Sequence, residues 1–321
     1  MRGQARQCWT SERGEIARSR PIGQGLASGD LFTGSTLAYA PMTNGQCLCG
    51  DFRFRIDGDL VFMHHCHCGY CRKSQGSAYS TMIGVDEKNL HWDAEGKRIS
   101  FESSTTFSRS SCGRCGSPLP VGASGMPVFV PTGLLDGDFG HRAEMHIFVE
   151  SKLPWLKIRD GLPCFDAYPP GLDAAVCESR VPLDPPGGVR GSCLCGRTRF
   201  AFEGSAIMAR HCHCKRCQRA RGAAHASNLI VLSTIFRWTA GASVVQTYRV
   251  PDARFFAQAF CGHCGSCMPR IDDGRGIVII PLGALDDPPP TTPRDHIWVE
   301  SKASWHEILD DLPQFQQGPP G

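Results

Sequence analysis

The sequence predicts a mainly β chain of two tandem domains, on three observations. The chain repeats itself, its apolar stretches are short, and its cysteines stand in close pairs at both ends of each repeat. Residues 47–76 align with 193–222 at a constant offset of 146, with 13 identities in 30 positions. The CGxCG pairs align at offset 149, and HIFVESKLPW (146–155) aligns with HIWVESKASW (296–305) at offset 150. A D-x-L-P-x-F element follows each of these, Asp160 to Phe165 and Asp310 to Phe315. Self-similarity in fixed order is the signature of a repeat, and shifts of a few residues within it are changes of loop length.

Taken in order, residues 1–42 are rich in Gly, Ser, Thr and Arg and are expected to form a disordered tail. Arg2, Arg6, Arg13, Arg18 and Arg20 suit a targeting peptide, though Glu12 and Glu15 interrupt it; translation from Met42 is the other reading. The first domain is expected over 43–168. A linker rich in Pro and Gly follows over 169–187, and the second domain spans 188–318. Within each copy, apolar runs such as Phe52–Ile56, Met126 to Val130 and Ile277 to Ile280 are bounded by turn residues and read as strands. Helix is expected only briefly, after Cys71 (Arg72 to Gly76) and around Ile308 and Leu309. Trp155, Trp305, Phe165 and Phe315 are expected to cap the core.

The bulk numbers exclude several classes. A chain of 321 residues has room for about two ordinary domains. With 41% hydrophobic and 20% charged residues it reads as globular, and no run of eighteen apolar residues could span a bilayer. A net charge of +3 lacks the strong basic stripe of a nucleic-acid protein.

The 18 cysteines decide the rest. A disulfide framework is the alternative to metal. The thiols, however, stand in Cys-x-Cys and Cys-x-x-Cys pairs, too close to bridge comfortably and well spaced for one ion. Zinc and a reducing cytoplasm are therefore expected. Cys8, Cys164, Cys177 and Cys267 fall outside the motifs and are expected to be ordinary thiols.

Each copy then divides into a set of four and a set of three. Cys47 and Cys49, as alternate residues of a strand, point the same way; Cys112 and Cys115 sit in a glycine-rich turn. Together they make a closed tetrahedral site of the kind that only holds a fold, with Cys193, Cys195, Cys261 and Cys264 as its equivalent. Cys66, Cys68 and Cys71, like Cys212, Cys214 and Cys217, form a Cys-x-Cys-x-x-Cys with three thiolates. Three protein ligands leave zinc an open position for chemistry. A histidine could close it. His65 and His67 (His211 and His213 in copy two) alternate away from the cysteines, and His146 and His296 are remote candidates. Arg72, Lys73, Lys215 and Arg216 beside the clusters suit an anionic substrate, with a solvated surface patch as the plain alternative.

The order CxCG, CHCxxC, CGxCG, GxLD, HIxVESKxxW and DxLPxF resembles the glutathione-dependent formaldehyde-activating enzymes, a family that includes the domain of centromere protein V. The resemblance covers roughly 43–168 and 188–318. It implies a mainly β fold with about two zinc ions per domain, the four-cysteine set structural and the three-cysteine set catalytic. The implied activity joins glutathione to formaldehyde, or reverses it, which makes the protein a carbon–sulfur lyase. Small-molecule thiol and aldehyde are the implied partners, with nucleic acid the partner on the centromere-protein side of the family. A non-catalytic zinc-binding module and a thiol or metal sensor are the alternatives. This chain departs from the usual single-domain enzyme by its duplication, and the rims differ: Gly69-Tyr70 against Lys215-Arg216, Ser74-Gln75 against Ala220-Arg221.

Overall fold

The computed structural model describes residues 42–105, 107–122, 126–171 and 188–319, with the backbone of residues 6 and 7. Most of the N-terminal tail and of the Pro- and Gly-rich linker, with Cys8 and Cys177, lies outside the described residues. Among those described, the chain is mainly β with two α-helices, and no helix is long and apolar enough to cross a membrane.

Each copy is built on one central strand that ends in the first His-Cys of the HCHC motif. In copy one this is Leu60–Cys66, antiparallel to Ser80–Val85 on one side and parallel to Met145–Ile147 on the other. The parallel register sets His146 opposite His65. In copy two Met208–Cys212 pairs in the same way with Ala226–Leu232 and Pro293–Ile297, which sets His296 opposite His211. A three-stranded sheet in each copy (Thr43–Gln46, Arg53–Ile56 and Leu90–Ala94; Val189–Ser192, Arg199–Phe202 and Phe236–Ala240) leads into the first cysteine pair. The second pair closes a hairpin strand, Ser108–Cys112 or Ala257–Cys261. A two-residue strand, Arg6–Gln7, pairs with Pro163–Cys164 at the edge of the copy-one sheet.

The helices follow the three-cysteine motif. Helix α1 spans Gly69–Gln75 and α2 spans Lys215–Arg221. In α1 the Cys68 thiolate position caps the first turn by accepting from Cys71 N. Both helices stop at a left-handed glycine, Gly76 (φ 61°) and Gly222 (φ 59°), a conformation that L side chains resist. The helix expected around Ile308 and Leu309 does not form. Residues 306–309 run without regular structure along the wall of a cavity, where they contribute lining that a helical turn would direct elsewhere. The run expected over Met126 to Val130 becomes a strand over Val128–Pro131, with Met126 exposed.

The two copies share their cores. The core of copy one (Phe54, Met63, Ile83, Val130, Leu134) includes Ala224, Ala303 and Trp305 from copy two. Trp155 of copy one packs in turn against the core of copy two. The tryptophans thus cap cores, each that of the other copy. The contact is close: Gly133 lies so near Ala223, and Gly283 so near Arg72 and Ser77, that an added Cβ would stand 2.2 or 2.3 Å from backbone atoms. It is also polar at its centre. Lys73 Nζ donates to Asp286 (2.6 Å), Ser192 O (2.8 Å) and Ser192 Oγ (2.9 Å), and Ser77 Oγ donates to His225 O (2.9 Å). A buried ammonium is tolerated only with partners of this kind.

Candidate metal centres

The four-cysteine sets come together in both copies. The sulfurs of Cys47, Cys49, Cys112 and Cys115 lie within 4.8 Å of one another, as do those of Cys193, Cys195, Cys261 and Cys264. Each set could hold a metal ion. The means differs from the expected one, because strand Thr43–Gln46 ends before the first cysteine. Cys47 and Cys49 are brought together by the turn that follows, closed by Gly50 N donating to Cys47 O, and the same turn serves Cys193 and Cys195. A turn over four residues reverses the chain and so gathers both sulfurs on one side.

Ser117 and Ser266, the residues after each CGxCG, were not singled out in the sequence. Ser117 Oγ accepts from Leu48 N (3.0 Å) and stands 3.3 Å from Cys115 Sγ; Ser266 does the same with Leu194 N and Cys264 Sγ at the same distances. Each serine therefore ties the two ends of its cluster together. Its recurrence at one offset was a readable signal.

Within each cluster the protons are unequally shared. Hydrogen bonds from Cys112, and then from Cys115 and Cys49, hold the Cys47 thiol far below its ordinary range, while Cys49 is driven far above it. In copy two, Cys193 is lowered to about 7, led by its bond with Cys195. Thiolates crowded this closely need a cation or shared protons between them.

The three-cysteine sets also assemble: Cys66, Cys68 and Cys71 in one copy, Cys212, Cys214 and Cys217 in the other. No fourth Cys, His, Asp or Glu joins either group among the described residues. The sulfur of Cys71 is held well below its ordinary pKa by hydrogen bonds from Cys66 and Cys68, aided by Arg109. Cys214 is lowered to about 3, led by its bond with Cys212.

The cations beside them are not all where the sequence suggested. Arg72 is half-buried near the three thiolates and donates through Nε to His67 O (3.2 Å). The Lys73 ammonium is engaged by Ser192 and Asp286 at the contact between copies. Lys215 and Arg216 are exposed at the start of α2, with Lys215 Nζ on Gln218 Oε1 (3.1 Å). The group missed was Arg109, on the hairpin strand Ser108–Cys112, whose guanidinium donates to Cys71 Sγ (3.5 Å). At the matching offset copy two has Gln258, which instead donates to Cys267 Sγ (3.2 Å).

The histidines line the opposite side of the central strand. His67 Nε2 lies 2.8 Å from His146 Nδ1, and His146 Nε2 lies 2.8 Å from Asp160 Oδ2. A carboxylate only accepts, so His146 donates to Asp160 and accepts from His67. His67 Nδ1 is left buried without a partner. Copy two repeats the chain as His213, His296 and Asp310, again with His213 Nδ1 unpartnered. Burial raises the Asp160 carboxyl, and the bonds from His146 and Leu162 N outweigh it and lower its pKa. Burial keeps His65 and His225 neutral, each lowered to about 3. The two rows of rings meet in one cavity of about 260 Å³ between the copies, where copy one contributes Tyr79 and Leu156 and copy two His225 and His306.

Cys164, expected as an ordinary thiol, is disulfide-bonded, and the other described cysteines are free. The disulfide leaves all four cysteine sets intact, because none of their cysteines takes part.

Among solved structures, the chain is similar to a crystal structure of a Rhodobacter sphaeroides protein, with 22% identity, a TM-score of 0.27, and coverage of 39% of this chain and 98% of that one. The family model for glutathione-dependent formaldehyde-activating enzymes matches residues 42–151 and again 188–301. The doubled cysteine sets fall inside these two segments, and the chain belongs to the glutathione-dependent formaldehyde-activating enzyme family as a tandem duplicate.

Proposed function

We propose that this chain is a zinc-dependent carbon–sulfur lyase that joins a thiol such as glutathione to formaldehyde or a related small aldehyde, or reverses that reaction. The observation that carries the reading is the pair of three-thiol groups without a fourth protein ligand among the described residues, set beside four-thiol groups that are complete. Zinc held by Cys66, Cys68 and Cys71, or by Cys212, Cys214 and Cys217, would lower the pKa of a substrate thiol in its fourth position and keep it nucleophilic. The addition that this would serve forms a C–S bond as the carbonyl π bond opens, and the proton given up by the thiol ends on the aldehyde oxygen.

The chain's own residues set the electrostatics of that step. In copy one, Arg109 and Arg72 offset the negative charge of three thiolates and favour an anionic substrate. In copy two, exposed Lys215 and Arg216 are the cations available to a substrate carboxylate. The four-cysteine sets are assigned a structural zinc each, which adds folding energy and leaves no open position. The thiolate demand of fourteen motif cysteines supports a reducing compartment such as the cytoplasm, against which the Cys164 disulfide stands.

The test is magnetisation-exchange NMR on the zinc-replete chain with glutathione and formaldehyde, together with other thiol–aldehyde pairs. Faster adduct exchange that declines in Cys68→Ser and Cys214→Ser is the expected result. No acceleration with any pair, zinc being retained, would sink the enzymatic reading and leave a non-catalytic zinc-binding module.

A further inference from the structure

We propose that His65, His146 and Asp160 form an additional metal site in copy one, on the cavity side of the central strand, for a first-row divalent cation of the zinc class. Their ligand atoms lie within 4.8 Å of one another. Two imidazoles and one carboxylate are a donor set that such cations favour, with water or a small ligand in the remaining position. The site is separate from the thiol clusters, because His65 and Cys66 are successive residues of one strand and face opposite ways.

Two features beyond proximity support a built site. The first is the set of contacts behind the ligands. His65 Nδ1 is held by Thr81 Oγ1 (2.9 Å), which leaves Nε2 for the cavity, and His146 Nδ1 is held by His67 Nε2 (2.8 Å). Ligating histidines are typically fixed in this way through their other nitrogen. The second is access: His65, His146 and Asp160 all line the cavity between the copies, so a cation and its waters have room to enter.

The cation takes the place of the proton that His146 shares with Asp160. The 2.8 Å between those atoms would open to roughly 3.3 Å, the edge of a tetrahedron around zinc. The displaced proton is conserved within the chain of rings: His67 passes its Nε2 proton to His146 Nδ1 and takes one up on its unpartnered Nδ1. Both imidazoles stay neutral.

Copy two does not offer the same site. His211, His296 and Asp310 form no such group, and His296 Nε2 lies 3.0 and 3.1 Å from both oxygens of Asp310. The inference is therefore specific to one copy, which makes copy two an internal control.

The experiment uses the full chain with its thiol sites filled by zinc and excess metal removed, titrated with Co²⁺ and followed by absorption and elemental analysis. One further equivalent is expected, with weak ligand-field bands and no sulfur-to-cobalt charge transfer. Asp160→Asn and His65→Gln should abolish it, Asp310→Asn should leave it, and Thr81→Val should weaken it by about 10–100-fold. Zinc content and near-ultraviolet circular dichroism report whether each variant is folded, and the isosteric Asp160→Asn is the variant that decides. No additional cobalt in the parent protein overturns the proposal. So does cobalt with a thiolate charge-transfer band, or binding undiminished in Asp160→Asn.

Discussion

The two copies hold their sulfur in the same places and differ in what stands beside it. Each brings four cysteines together in one group and three in another. Next to the three, copy one has Arg109 on Cys71 Sγ, whereas copy two has Gln258 turned to Cys267. Across the central strand copy one has Tyr79 and Leu156 where copy two has His225 and His306. The difference teaches that a ligand set and its surroundings are separable. The ligands come from short repeated cysteine motifs, while the surroundings come from other strands and can be set independently in each copy.

The largest effect should come from breaking the part the copies share. Cys112→Ser should destabilise copy one by more than about 4 kcal/mol, the range in which loss of a metal site falls, and Cys261→Ser should do so in copy two. Calorimetry would show a lowered unfolding temperature and zinc counting one ion lost; an unchanged unfolding temperature would remove the structural role. Trp305→Ala should cost about 3–5 kcal/mol, and the loss should appear in copy one, whose core the side chain fills. Hydrogen exchange along Ser80–Val85 measures this, and loosening confined to copy two would contradict the exchanged core.

Cys68→Ser should reduce the turnover of copy one by more than the 10–100-fold that an outer partner of a metal ligand is worth, while sparing most of the stability. Equal loss of stability in Cys68→Ser and Cys112→Ser would erase the division of roles. Arg109→Gln would make copy one resemble copy two. In metal-free protein the Cys71 thiol pKa should rise by on the order of one unit, since an adjacent cation favours the thiolate. Alkylation rate against pH reads this directly, and an unchanged profile would show that the guanidinium has no influence.

The remaining effect concerns acid. His225 is lowered to about 3 by burial, below its ordinary 6.5, so between those values the unfolded chain takes up a proton that the folded chain refuses. Its contribution is present above pH 6.5 and is lost as the pH falls towards 3, at up to about 1.4 kcal/mol per pH unit. His225→Tyr, which installs the copy-one residue, should flatten the acid limb of the stability profile by about one proton. An identical limb in both proteins would mean that His225 is already charged in the fold.

Much of the candidate site was legible because its parts are close in sequence. Cys47 and Cys49 share one turn, Cys112 and Cys115 another, and Cys66, Cys68 and Cys71 one strand end and helix start. Other features were less accessible. Arg109 is one polar residue on a short strand, and only the shape of the hairpin aims it at Cys71. His67, His146 and Asp160 each lie in a repeated motif, yet their alignment depends on a parallel pairing between strands far apart in the chain.

The sequence by itself determined the duplication, the mainly β character, and the division of the motif cysteines into fours and threes. These follow from period, alternation and spacing, which act over a few residues. Only the tertiary structure decided that each copy seats its tryptophan in the other's core, that Lys73 is engaged at the contact between the copies, and that the histidines face a shared cavity. The physical reason is that burial of a large apolar side chain is non-directional. It rewards any surface that excludes water, and which surface that is depends on how the two copies dock.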